Sequence, residues 1–296
     1  LAVAGVKVPA YGAAEIKAAE AAEGASPFTV DGKHIETPFA IIEMDENGGF
    51  ASFIDKRTGR ELVDGLPFNT FLMAEDMPAA WDNWDIDADL EEKMRPVKGL
   101  VSCEVVANGA LELRLRMVHK LSAISTIYQD VIFSSVSPMV VFDTVMDWQE
   151  AHRFLKTAFD TSLVAEGVIN EIQFGHIRRS NHRSTDVEKA RFEICNHKFS
   201  DLSERNNGVA LLNDCKYGMS ANEGSMRLSL HKGGILPDEL GDKGMHEMKY
   251  ALLPHEGGFG AENVVQPAYA FNNPPMLVAG EAAEASLVAV STADVV

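Results

Sequence analysis

The stretch ALELRLRMVHKLSA, residues 110–123, alternates residue by residue, with Leu111, Leu113, Leu115 and Met117 on one face and Glu112, Arg114 and Arg116 on the other. Successive side chains of a strand point to opposite sides of a sheet, so this pattern predicts a half-buried antiparallel strand. Similar patterns flank it. VIFSSVSPMVVFDTVMDW (131–148) predicts two strands broken near Pro138, and MRLSLHK (226–232) and MHEMKYALLP (245–254) predict two more. In IETPFAIIEMDENGGFASFIDKRTGRELVD (35–64) two apolar runs are separated by Asn47-Gly48-Gly49, which tolerate positive φ and predict a hairpin. A second reversal is expected at Lys56 to Gly59. Short strands, frequent turns and almost no helical periodicity place the chain in the all-β class, as an antiparallel two-sheet sandwich.

With 296 residues, 46% of them hydrophobic, the chain can bury one large core. A formal net charge of -18, with no Lys/Arg cluster to offset it, argues against a nucleic-acid partner. Cys103, Cys195 and Cys215 are widely spaced and form no C-x-x-C pattern, which fits a reducing, cytoplasmic setting. The opening LAVAGVKVPAYGAA is interrupted by Lys7 and Pro9 and does not read as a signal peptide. There is no run of 18 apolar residues, so no membrane partner is expected. Residues 13–24, AAEIKAAEAAEG, are good helix formers without an apolar stripe, and a strand or tail is expected there before a helix.

Five polar segments could carry chemistry. WDNWDID (81–87) places Trp81 and Trp84 among Asp82, Asp85 and Asp87; the aromatic faces and carboxylates suit sugar rings, and a packing clamp at a sheet edge is the competing and preferred reading. AHRFLKTAFD (151–160) predicts a strand whose Lys156 joins a structural ion-pair network. In NHRSTDVEKARFEICNHKFSDLSE (181–204), His182 and His197 lie too far apart for a local zinc site and read as hydrogen-bonded loop residues. ALLNDCKYG (210–218) predicts a strand running into a turn, capped by Asn213 and Asp214 and reversed at Gly218. There Asp214, Lys216 and Tyr217 could orient a substrate hydroxyl, while Cys215 reads as a buried structural thiol. Between the last two strands, Pro237 to His246 forms a glycine-hinged polar loop carrying Asp238, Asp242 and His246, suited either to binding or to a satisfied turn.

These segments together, with EIQFGHIRRSNHR (171–183), FDTVMDWQEAHRFLK (142–156) and MRLSLHKGGILPDELGDKGMHEMKYALLPHEGG (226–258), resemble the C-terminal region of glycoside hydrolase family 38, the zinc-dependent retaining α-mannosidases, over roughly residues 28–260. The resemblance implies a galactose mutarotase-like supersandwich over residues 27–296, truncated at its C-terminus, with residues 1–26 as the tail of a preceding β domain or linker. It also implies that catalysis belongs elsewhere. The family's Asp nucleophile and its zinc lie in an N-terminal barrel, and this chain has neither a His-x-Asp pair nor a βαβ alternation. No catalytic residue and no metal ligand is therefore expected here, and the partners implied are that barrel, in the same polypeptide, and an α-mannoside. Pro237, Asp238, Asp242, Gly244 and His246 match the family's loop facing the barrel, and Asn213, Asp214, Lys216 and Tyr217 its NDCKYG string. Asn213 belongs with these cleft or interface candidates, together with Trp81 and Trp84. The alternative is a free-standing carbohydrate-binding or mutarotase-like protein, in which a Glu and a His exchange a proton with the sugar.

Overall fold

The computed structural model describes residues 8, 12–16, 24–280 and, as backbone only, 285–286. Most of the expected tail at 13–24 and of the expected last strand at 281–296 lies outside the described residues. Gly12–Ala13 pairs with Ala285–Ser286 in a small antiparallel sheet of its own.

One layer of the sandwich is a nine-stranded antiparallel sheet running from the edge strand Gly175–Arg179 to the edge strand Leu100–Asn108. At its centre lie Gly244–Glu256, Val140–Trp148, Thr126–Ser134 and Glu112–Lys120. The opposing layer, expected as one sheet, is divided into a six-stranded and a five-stranded sheet. The six-stranded sheet centres on Ser225–Lys232, Arg153–Asp160 and Thr70–Glu75. Isolated bridges Phe50↔Phe68 and Val63↔Thr161 tie the five-stranded sheet to its flanks.

Glu112–Lys120 behaves as its alternation predicts: Leu113, Leu115 and Met117 are buried while Arg114 and Arg116 bond Asp130 on the next strand. The hairpin at Asn47-Gly48-Gly49 closes with Gly48 at φ +80°, and the Asp45 carboxylate accepts the amide N–H groups of Asn47 and Gly49. The core is aromatic, with Phe142 and Tyr250 stacked at 5.0 Å and Phe50, Phe53, Phe68 and Phe159 around them. Each such ring contributes about 1.5–3 kcal/mol by burial.

A closed polar ring sits inside this core. The Tyr250 hydroxyl donates to Asn69 Oδ1 (2.6 Å), Asn69 Nδ2 donates to Gln129 Oε1 (2.8 Å), and Gln129 Nε2 donates to Tyr250 (2.8 Å) and to Thr144 (2.9 Å). The ring crosses the sandwich, joining both layers, and every member is partnered.

Helical elements are present where periodicity predicts almost none. Asp186–Ala190 starts from a Thr185–Glu188 capping box, a signal readable as T-x-x-E in the sequence. A π-turn at Ala261–Val265 continues into the α-helix Gln266–Asn272, and the two lay Val264 and Ala268, respectively, on the outer face of the nine-stranded sheet against Leu212 and Ala251. No helix among the described residues is long and apolar enough to cross a membrane.

Candidate functional site

Five strand ends meet at one end of the sandwich: Trp148 pairs with Gly244, and beside them Arg153 pairs with Glu75 and Phe154 with Lys232. A register shift opposite Leu155 and Lys156 breaks the alternation of Ser225–Lys232. Met226, Leu228 and Leu230 face the core, and the bulge turns His231 inward as well. Its ring lies 4.7 Å from that of Trp148 and 4.5 Å from that of His246, so three rings from both layers plug this end of the core. Burial pushes the His231 imidazole down to about 3, with help from the nearby His246 and Lys216, so it is neutral at ordinary pH.

Over this plug lies the loop after Lys232. Gly233 and Gly234 allow its close approach: a Cβ at Gly233 meets Trp148 Nε1 at 2.9 Å and one at Gly234 meets Asn83 Oδ1 at 2.0 Å. Asp82 Oδ2 accepts hydrogen bonds from the amides of Ile235 (2.8 Å) and Leu236 (3.0 Å), and Asn83 Nδ2 donates to the Leu236 carbonyl (2.7 Å). Partial burial opposes charge on Asp82, yet those two amides and the nearby His152 hold its carboxyl below the usual carboxylate range. His152, held at φ +52°, places Nδ1 3.5 Å from Asp82 Oδ1. Below them Asp76 pairs with Lys232, and burial keeps the Asp76 carboxyl above its ordinary value despite that partner.

WDNWDID thus performs the backbone-capping half of the expected clamp and not the packing half. Trp81 and Trp84 are 70% and 71% exposed, and no sheet edge covers their rings. In the 237–246 loop Asp238 Oδ1 caps the Leu240 amide at 3.0 Å, Gly241 and Gly244 take positive φ, and Asp242 is exposed. His246 belongs to the strand Gly244–Glu256; half-buried, its Nε2 lies 2.5 Å from the Asp242 carbonyl.

The NDCKYG segment approaches this end through Lys216. Asn213 is fully buried and spent within the chain: its Nδ2 donates to the His197 carbonyl and its Oδ1 caps Lys216. Asp214 is also engaged, since Oδ1 accepts the Lys249 amide at 3.0 Å and its own amide donates to the Lys249 carbonyl. Tyr217 is half exposed, with its ring edge-on to His197 at 5.0 Å. Gly218 begins a strand without positive φ, so the reversal does not depend on it. Cys215 is exposed rather than buried, yet desolvation and Asp214 push its thiol up to about 12, so it is no activated nucleophile. His182 lies exposed in its loop.

Lys156 sits apart, on the outer face of the six-stranded sheet. It is 1% exposed and pairs with Glu193, with Ser220 Oγ at 3.2 Å. Burial drives the lysine down and the glutamate up, each toward its neutral form. Trp148, His231, Asp76 and Lys232 were not singled out by sequence reasoning. The signal that could have found them is the Gly233-Gly234 pair next to His231 and Lys232, since adjacent glycines suit a close approach of the backbone.

Comparison with known proteins agrees with this architecture. The family model for the glycosyl hydrolases family 38 C-terminal domain matches residues 35–240. Human alpha-mannosidase 2C1 is 39% identical over 236 residues, covering 79% of this chain and 23% of that protein. Alpha-mannosidase G of Dictyostelium discoideum is 36% identical over 246 residues, covering 81% and 22% respectively. This chain therefore spans less than a quarter of the length of the curated relatives it matches. Among solved structures, an alpha-mannosidase from Enterococcus faecalis V583 superposes with a TM-score of 0.73 at 16% identity, over 86% of this chain and 32% of that one, a likeness of fold. The family match and the antiparallel sandwich lead to one conclusion: the chain belongs to glycosyl hydrolase family 38, as its C-terminal β domain.

Proposed function

We propose that this chain is the non-catalytic C-terminal domain of a retaining, metal-dependent α-mannosidase, packing against the catalytic barrel of the same polypeptide and bordering its substrate cleft. The observation that carries this reading is an exposed apolar face. Met77, Trp81, Trp84, Leu236, Leu240 and Met245 are 57–75% exposed, on segments joined by Asp82 and Asn83. Single exposed apolar residues are ordinary, whereas several large ones on interlocked loops mark an interaction surface. A chain matching 23% of a longer relative leaves ample polypeptide to supply the partner.

Retaining hydrolysis needs a carboxylate nucleophile and an acid/base carboxylate, and the proposal assigns both, with the zinc, to the barrel. Among the described residues no group of three or more His, Cys, Asp and Glu side chains comes together to hold a metal, so no step is derived through a metal on this chain. Asp238, Asp242 and His246 border the apolar face and are the groups offered to a substrate hydroxyl. The free, exposed Cys103, Cys195 and Cys215 support a reducing, cytoplasmic setting.

The test is Leu240→Asp in the full polypeptide, assayed on an aryl α-mannoside, alongside urea unfolding of the β domain. The expected result is a loss of about tenfold in kcat/KM with the domain's unfolding midpoint unchanged. Unaltered activity overturns the docking reading, and turnover by this chain alone favours a free-standing sugar-active protein.

A further inference from the structure

No Lys/Arg cluster stands out along this acidic chain, but folding builds one. The edge strand of the nine-stranded sheet, Gly175–Arg179, and the edge strand of the six-stranded sheet, Ile194–Cys195, border a cavity of about 520 Å³ together with the helix Asp186–Ala190. Arg178, Arg179 and Arg191 line it, with Glu188, Glu193 and Cys195. We propose that this cavity binds a phosphate group, either free or carried on a small sugar.

The lining carboxylates are committed elsewhere. Glu188 accepts from Ser180 Oγ (2.9 Å) and from the amides of Ser184 (3.0 Å) and Thr185 (2.9 Å). Glu193 is paired with the buried ammonium of Lys156. The guanidinium groups are under-partnered by contrast. Arg179 Nη1 donates to a neutral acceptor, Asn170 Oδ1, at 2.7 Å, and among the described residues neither Arg179 nor Arg191 faces a carboxylate within ion-pair distance. Arg178 has one long contact, 3.4 Å, to the highly exposed Glu166. Elsewhere Arg57, Arg60, Arg114, Arg116 and Arg183 each hold a carboxylate. Desolvation without a counter-ion lowers the Arg179 pKa, the mark of a half-buried cation lacking its anion.

Guanidinium forks match the oxygens of a phosphate in two parallel hydrogen bonds, which favours this group over a halide. The cavity volume lies within the range of about 300–1,000 Å³ usual for small-molecule sites and exceeds what a bare phosphate fills. There is room for a monosaccharide.

The experiment is calorimetric titration of the purified protein, at its expressed full length, with inorganic phosphate and separately with a hexose 6-phosphate at constant ionic strength. Saturable one-to-one binding is expected, weakened at least about tenfold in Arg179→Gln and in Arg191→Gln and unchanged in Arg116→Gln. Arg191 is exposed and has no ion pair to lose, so its variant keeps the test readable if Arg179→Gln misfolds. Tighter binding of the hexose phosphate identifies a phosphorylated sugar as the ligand, and equal affinity identifies the free anion. No saturable binding of either probe, or binding untouched by Arg191→Gln, overturns the proposal.

Discussion

Asp82 Oδ2 lies 2.8 Å from the backbone nitrogen of Ile235, joining two loops 153 residues apart in the chain. One carboxylate thus seats the loop that carries Asp238 and Asp242 and leads into the strand of His246, because a second amide, that of Leu236, shares the same oxygen at 3.0 Å.

Asp82→Ala is therefore expected to release this loop, leaving two amides without their acceptor at a cost of about 1–3 kcal/mol. Asp82→Asn keeps an acceptor and should cost less. Urea unfolding with amide exchange at residues 235–241 checks it: protection unchanged in Asp82→Ala means the loop is held by something else.

Asp242→Ala should leave domain stability within about 0.5 kcal/mol, because the side chain is exposed. His246→Ala removes a ring packed at a tilt against His231 and is expected to cost more, about 1 kcal/mol. Activity of the full polypeptide should fall in both. A loss above about 2 kcal/mol in Asp242→Ala makes the loop internal structure and not an interface.

Tyr250→Phe removes the hydroxyl that closes the polar ring with Asn69 and Gln129. Two fully enclosed groups lose a partner, and about 1–3 kcal/mol of destabilisation is expected by chemical denaturation. A neutral outcome indicates that water enters and replaces the hydroxyl.

Lys156→Met should destabilise by about 3–5 kcal/mol, because the largely desolvated Glu193 carboxylate loses the ammonium that pairs it. Lys156→Met combined with Glu193→Leu should recover most of that loss. A double variant as unstable as the single shows that packing, and not charge, governs the site.

Stability should fall with acid in a window set by two histidines. His119 is pushed down to about 4 and His231 to about 3 by burial. Unfolded, each titrates near 6.5, so below that pH the unfolded state binds more protons and folding weakens by up to about 1.4 kcal/mol per pH unit per histidine. The stabilisation is complete above about pH 6.5 and is lost progressively down to the folded values. Unfolding free energies at pH 7, 6 and 5 should show a shallower slope in His231→Gln than in the unsubstituted protein. Parallel slopes mean that His231 titrates normally.

Strand positions and turns were legible because they depend on local terms. The alternation at 112–117 and the Asn-Gly-Gly hairpin need only side-chain direction and tolerance of positive φ. The Thr185–Glu188 capping box was equally local, but its five-residue helix is too short to register as periodicity. The helix at 266–272 owes its place to packing on a sheet formed by distant strands, and nothing local announces that.

The residue types of the site were legible, and their grouping was not. Trp81, Asp82, Asp238 and His246 stood out as polar or aromatic residues in loops. Their convergence with His231 and Trp148 depends on a bulge that turns one side chain inward, and a shift of one residue changes the face of everything beyond it. Likewise Arg178, Arg179 and Arg191 are unremarkable along the chain and share one cavity only because the edges of two sheets meet there. Local patterning specified the all-β class and the turns, because those energies act between near neighbours. Long-range strand pairing assigned which charges are paired, buried or left facing a cavity, because those energies depend on distances that no short stretch of chain contains.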